Sequence, residues 1–166
     1  GYMGVLFAGS CHAGVWRDRL VDPATGQCRA VAAPQPEAFA ALERDLAAAL
    51  VAIRERAPDA RVILVQYPAL VGQEPCLLAP LSAEHAAIAS HVATLLAEAS
   101  ARAAARAGVE VLAVEQLSLG HRPCDPEPWV NGLHEGHDVS TGAPWHPNAA
   151  GHAAIAAQLE RMLRQP

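Results

Sequence analysis

No lysine occurs in these 166 residues; all twelve basic side chains are arginine, and most of them stand singly. We read the missing lysine as the bias of a GC-rich coding sequence rather than as a functional choice. With a net charge of −5 and no basic cluster, the chain lacks the positive face that phosphate backbones and anionic lipids require, so nucleic acid is not expected as a partner. No apolar run approaches the roughly 20 residues that span a bilayer, and stable membrane insertion is not expected. The opening residues Gly1-Tyr2-Met3-Gly4 lack the charged start and apolar core of a signal peptide. No C-x-x-C pair and no Cys/His zinc spacing occurs among Cys11, Cys28, Cys76 and Cys124. Disulfides are therefore expected in preference to a metal, which points to an oxidising, exported setting. Sequential pairing, Cys11 with Cys28 and Cys76 with Cys124, would close loops contributing about 3 and 4 kcal/mol. Internal repeats with a period of roughly 20–50 residues are absent as well.

What the chain does have is a core-forming composition, 52% hydrophobic, enough for one domain and too short for two. Val5-Leu6-Phe7-Ala8 is a short apolar run, and residues 10–36 read as a loop pinned by the first cysteines. Phe39, Leu42, Leu46, Leu50 and Ile53 recur every three or four positions, predicting an amphipathic helix from Glu37 to Arg56 that ends near Pro58. Arg61–Tyr67 and Val109–Val114 are short, β-branched runs, as expected for parallel strands covered on both faces. Between them Ser82 is placed to cap a long helix that runs to Ala107 and stops at Gly108.

Helix, strand, helix, strand is the rhythm of an α/β fold with a parallel sheet, whose functional groups gather at the carboxyl ends of the strands. Only two strands are evident, where an open sheet usually has about four or more. Residues 115–145 form an irregular stretch far longer than an ordinary loop, which marks it as functional. Pro147 suits the first turn of a last helix, with Ile155, Leu159 and Leu163 on its buried face.

His146, at the mouth of that helix, stands where a general base must stand above a sheet edge. Alone, it is a polar residue at a helix start. Its neighbours change the reading, because Trp145-His146-Pro147-Asn148-Ala149-Ala150-Gly151-His152 resembles the last motif block of the SGNH hydrolases, the GDSL-type lipases and esterases. Leu119-Gly120-His121-Arg122-Pro123-Cys124-Asp125, followed by Pro128-Trp129-Val130-Asn131-Gly132-Leu133, is similar to the loop before the catalytic histidine in the secreted, disulfide-containing actinobacterial branch. So is Ala57–Val62 leading to Tyr67-Pro68 and then Cys76. These three segments occur in order and span about 110 of the 166 residues.

The resemblance implies a three-layer α/β/α parallel sheet of SGNH or flavodoxin-like type, pairing of Cys11 with Cys28 and of Cys76 with Cys124, export, and His146 as the catalytic base. It also exposes what is missing. The family's Gly-Asp-Ser nucleophile block and its Gly-Asn-Asp oxyanion block do not occur, so residues 1–166 read as the carboxyl-terminal part of one such domain with the first strands and the serine upstream. Ser10, after Val5–Gly9, is a rival nucleophile without the preceding Asp. The family's Asp three residues before the histidine is replaced by Ala143. A backbone carbonyl can orient the ring instead, and Ala143 is the candidate, ahead of Pro144 and Asp138.

Trp129 and Trp145 either line an acyl pocket or anchor the long loop. His134, Glu135, His137 and Asp138 match no standard metal spacing and read as a solvated loop, and His152 reads as structural. The implied activity is carboxylic ester hydrolysis through a serine acyl-enzyme, acting on a small-molecule or lipid ester without a cofactor. A carbohydrate esterase or acyltransferase on the same scaffold, or a non-catalytic fragment, are the alternatives. The sequence assigns no oligomeric state.

Overall fold

The computed structural model describes residues 2–72, 74, 76–134, 136–138, 140 and 142–165. Helix α1 (Tyr2–His12) leads through the short α2 (Arg17–Leu20) to α3 (Pro36–Arg56), strand β1 (Ile63–Val65), α4 (Ala83–Ala107), β2 (Glu110–Leu112), the single turn α5 (Val114–Leu117) and finally α6 (Ala149–Arg164). β1 and β2 pair in parallel with Ile63 opposite Glu110 and Val65 opposite Leu112. One further ladder bond at each end, Glu110 N–H to the Val62 carbonyl and Gln66 N–H to the Leu112 carbonyl, extends the pairing.

The long helices start and stop where local chemistry requires. The Ser82 hydroxyl accepts the His85 N–H at the head of α4, satisfying one of the free amides of a first turn. Gly108 closes the same helix with φ of 63°, a left-handed conformation that glycine adopts without steric cost. α4 buries Ala86, Ala89, Ala99, Ala103, Ala104 and Ala107, small side chains that let neighbouring elements approach closely.

α3 turns differently from its expected face. Phe39 and Leu50 are buried and Leu46 half-buried, but Leu42 and Ile53 are 37% and 48% exposed, and the position between them on the inner row is Glu43. That carboxylate is tolerated because Arg102 and Arg106 of α4 meet it, at 2.8 and 2.9 Å. The Arg102 hydrogen bond, offset in part by desolvation and reinforced by both guanidinium charges, holds the Glu43 carboxyl below its ordinary range. A carboxyl whose folded pKa lies below its unfolded one adds stability above the unfolded pKa, which is lost as the pH falls through the folded one. Glu43→Gln is expected to flatten the acid limb of a thermal-stability profile between neutral pH and pH 3. An acid limb as steep as wild type would remove Glu43 from acid denaturation.

Three other expectations are corrected. Residues 2–12 are helical rather than a short apolar run opening into a loop; α1 is apolar on nearly every side, so no period betrays it. The strands are three residues each, and β1 is not covered on both faces, since Val65 is 40% exposed. Leu163 of α6 is 60% exposed, leaving Ile155 and Leu159 half-buried as that helix's inner contacts.

Two apolar clusters form among the described residues. The smaller joins Leu50, Ala104, Ala107 and Val109 beneath the strands. The larger is built from α1, the start of α4 and the two long loops: Val5, Leu6, Leu70, Leu81, Val130, Leu133 and Trp145 belong to it. Disulfides Cys11–Cys28 and Cys76–Cys124 are both formed, the pairing the family resemblance implied. No helix among the described residues is long and apolar enough to cross a membrane.

Candidate active site

The irregular stretch after α5 is held by cross-links rather than by regular elements. The buried Ser118 hydroxyl donates back to the Val114 carbonyl and accepts the Ala69 N–H at 2.7 Å, joining this stretch to the loop after β1. Cys124 is bonded to Cys76 in that loop, and the Leu133 N–H reaches the Leu78 carbonyl. Arg122 clasps Asp125 at 3.0 Å. Burial pushes the Asp125 carboxyl up, but hydrogen bonds from the Arg122 side chain and N–H outweigh it and hold the group below its usual range.

Residues 129–131 and 145–148 pair antiparallel. Trp145 N–H donates to the Asn131 carbonyl, Asn131 N–H to the His146 carbonyl, and Asn148 N–H to the Trp129 carbonyl, all between 2.9 and 3.0 Å. This pairing accounts for most of the letters around the histidine. Asn148, not Pro147, opens α6: its side-chain oxygen caps the Gly151 N–H at 2.9 Å while its amide nitrogen donates to the Pro128 carbonyl at 2.7 Å. Gly151 lies directly against the Trp129 carbonyl, and a Cβ there would fall inside the contact distance of that oxygen. Gly151→Ala should therefore destabilise the fold by about 3 kcal/mol and lower Tm by roughly 10 °C, against the helix propensity that favours Ala by about 1 kcal/mol. A Tm at or above wild type would show that the two segments can separate without cost.

His146 is left over from this structural work. Its side chain is exposed at the surface, and its Nδ1 lies 2.8 Å from the Pro144 carbonyl. A carbonyl only accepts, so that contact requires the proton on Nδ1 and leaves Nε2 free to accept one. Nδ1 thus meets the carbonyl of Pro144 and not that of Ala143. The Ala143 oxygen takes the His146 backbone N–H and the Asn131 side-chain amide, each at 3.3 Å, and the ring turns to the next carbonyl along. Asp138, the other alternative, accepts the Ser140 N–H.

Between Pro144 and His146, Trp145 takes φ of 64°, left-handed for a bulky side chain, a conformation that costs of order 1–2 kcal/mol and persists only where surroundings enforce it. Here they do. Trp145 is fully buried in the larger core, and its carbonyl accepts the Tyr67 hydroxyl at 2.9 Å. The Tyr67 ring stands edge-on to the His146 imidazole, with centroids 6.3 Å apart.

Of the two tryptophans considered for an acyl pocket, Trp145 is an anchor without surface. Trp129 is half-buried and stacked on His121 at 4.1 Å. Ser10 is excluded as a nucleophile: it is fully buried in α1, and its hydroxyl donates to the Leu6 carbonyl. His137 contacts the Gly142 carbonyl through Nε2, His152 is exposed in the first turn of α6, and Glu135 lies outside the described residues. Among the described residues no three His, Cys, Asp or Glu side chains group as metal ligands.

Sequence reasoning passed over the contact of Tyr67 with the Trp145 carbonyl beside His146, although the Tyr-Pro step at the end of a predicted strand was a usable signal. It also assigned Asn148 no task, where an Asn preceding a helical run signals an N-cap.

Comparison with known proteins bears on this arrangement. The model of the GDSL-like lipase/acylhydrolase family matches residues 18–154. Lipase 2 of Streptomyces coelicolor is 32% identical over 114 residues, covering 65% of this chain and 38% of that protein. The crystal structure of phospholipase A1 from Streptomyces albidoflavus superposes with a TM-score of 0.64 at 21% identity, over 73% of this chain and 50% of that one. The extracellular lipase of Streptomyces rimosus does so with a TM-score of 0.55 at 25% identity, over 70% and 50%. These likenesses support the α/β fold, and the chain spans 50% of the length of the two solved structures and 38% of Lipase 2.

Proposed function

Because the chain belongs to the GDSL-like lipase/acylhydrolase family, we propose that the protein carrying it hydrolyses carboxylic esters through a serine acyl-enzyme, with His146 as general base and acid. The observation that carries this is the His146 ring itself, surface-exposed, with Nδ1 on the Pro144 carbonyl and Nε2 free to take a proton. A base that relays a proton between serine and leaving alcohol needs that tautomer and that access.

The carbonyl performs the orienting half of a triad aspartate's work. It fixes the tautomer but offers a dipole rather than a full charge to the imidazolium that forms, so more of the barrier falls to oxyanion stabilisation. No Gly-Asp-Ser occurs in the 166 residues, and in this proposal the serine is supplied from outside them. Two disulfides and the extracellular lipase among the solved relatives support an exported protein acting on a small-molecule or lipid ester. Turnover of a short p-nitrophenyl ester, compared between wild type and His146→Ala, is the test; equal rates would take His146 out of the mechanism.

A hollow of about 200 Å3 lined by Tyr2, Leu42, Val65 and Tyr67 favours a second reading, a chain that binds an apolar ligand without turnover. The protein that carries these residues, assayed with the same ester, separates the two: turnover that His146→Ala abolishes rules out the binding-only reading, and binding of an apolar ligand without turnover supports it.

A further inference from the structure

We propose that Tyr67 is a positioning residue for His146, holding through its hydroxyl the backbone geometry on which the imidazole tautomer depends. The proposal rests on the reading of His146 as the base.

The platform under Tyr67 is rigid on both sides. Before it, the Gln66 N–H continues the sheet to Leu112, and the Gln66 side-chain amide donates to the Ala97 carbonyl and the Ser100 hydroxyl of α4 at 2.9 and 3.0 Å. After it, Pro68 fixes one backbone dihedral, and the Ala69 N–H is held by the buried Ser118 hydroxyl. A tyrosine set between two such clamps presents its hydroxyl at a defined point beyond the carboxyl end of β1.

At that point it meets the Trp145 carbonyl, 78 residues away in sequence. That carbonyl belongs to the peptide joining the left-handed Trp145 to His146. The N–H of the same peptide makes a long bond of 3.3 Å to the Ala143 carbonyl, and among the described residues the Tyr67 hydroxyl at 2.9 Å is the shorter hydrogen bond that holds the plane of this peptide. If the plane rotates, the His146 Cα turns with it and Nδ1 leaves the Pro144 carbonyl. The Tyr67 ring stands near-perpendicular to the imidazole, with centroids 6.3 Å apart. Burial pushes the phenol pKa up, so the hydroxyl keeps its proton and stays a donor across the range in which an esterase works.

Nitrogen-15 NMR of the His146 ring in the 166-residue chain tests this without any turnover. In the wild type the two ring nitrogens should resonate far apart, as for a single Nδ1–H tautomer, and the Tyr67 hydroxyl proton should exchange slowly with water. Tyr67→Phe keeps the ring and removes the donor; the separation between the nitrogens should collapse toward the tautomeric average. Tyr67→Leu should lose in addition the ring-current shift on the imidazole carbons.

In the ester-hydrolysing protein, Tyr67→Phe should lower kcat by roughly tenfold to a hundredfold, the scale of an ångström-sized misplacement, with KM nearly unchanged. A single unaltered tautomer in Tyr67→Phe overturns the proposal, as does a fast-exchanging Tyr67 hydroxyl in the wild type should the variant fail to fold. If instead the tautomer shifts but His146→Ala leaves turnover intact, the assignment of the base fails while the positioning contact stands.

Discussion

His146→Ala is expected to lower kcat for a p-nitrophenyl ester by roughly 10²–10⁴-fold, the contribution of a positioned acid–base group, while KM changes little. The split follows from geometry. Among the described residues the ring of His146 is tied to the fold through Nδ1 and the Tyr67 ring, so, on the proposed role, its loss removes an interaction made in the transition state rather than one that binds substrate or holds the chain. Thermal unfolding of the variant should accordingly stay within about 0.5 kcal/mol of wild type, as for a surface substitution. His146→Gln, which places an amide near the same carbonyl but cannot relay a proton, should be as inactive as the alanine variant. Substantial turnover in either one, with the protein folded, would mean that another residue serves as the base.

The largest stability effect expected from a covalent change is at Cys76–Cys124, which joins residues 48 apart. Closing a loop of that size limits the unfolded chain enough to contribute about 4 kcal/mol on the loop-entropy scale, against about 3 kcal/mol for the 17-residue separation of Cys11–Cys28. Replacing both Cys76 and Cys124 with Ser should therefore lower Tm by roughly 12 °C. The bridge joins the loop after β1 to the stretch that carries the His146 support, and the double variant should also broaden the His146 ring signals. Calorimetry of the oxidised protein and the double variant at one pH decides the matter, and a difference below about 1 kcal/mol would mean that the Ser118 and Leu133 cross-links fix the two loops without the disulfide.

Much of this architecture could be read from local sequence because local chemistry determines it. The α4 boundaries follow from Ser82 and Gly108, and the two parallel strands follow from β-branched runs flanking a helix of the right length. The histidine block was legible as a family resemblance, and with it both disulfide pairings.

What escaped the sequence is set by contacts that no local pattern encodes. α1 has no apolar period because it is covered on several sides at once. Glu43 occupies an inner position because its arginine partners lie 59 and 63 residues further on. That the His146 Nδ1 meets the Pro144 carbonyl rather than that of Ala143 goes with the left-handed turn at Trp145, where an indole is buried in a core assembled from distant segments. Tyr67 was missed for the same reason, its partner being a backbone oxygen across the molecule.

α6 carries one more consequence. At its far end the Gln165 carbonyl is taken by Arg61, whose guanidinium also forms two hydrogen bonds with Glu110 at the start of β2; at its near end Asn148 is locked to residues 128 and 129. Sixteen residues of helix make a strut about 24 Å long, secured at the entry of the strands and at their exit. The imidazole that precedes this strut is thereby located with reference to both ends of the sheet, like a tool clamped at two bearings rather than hung from one.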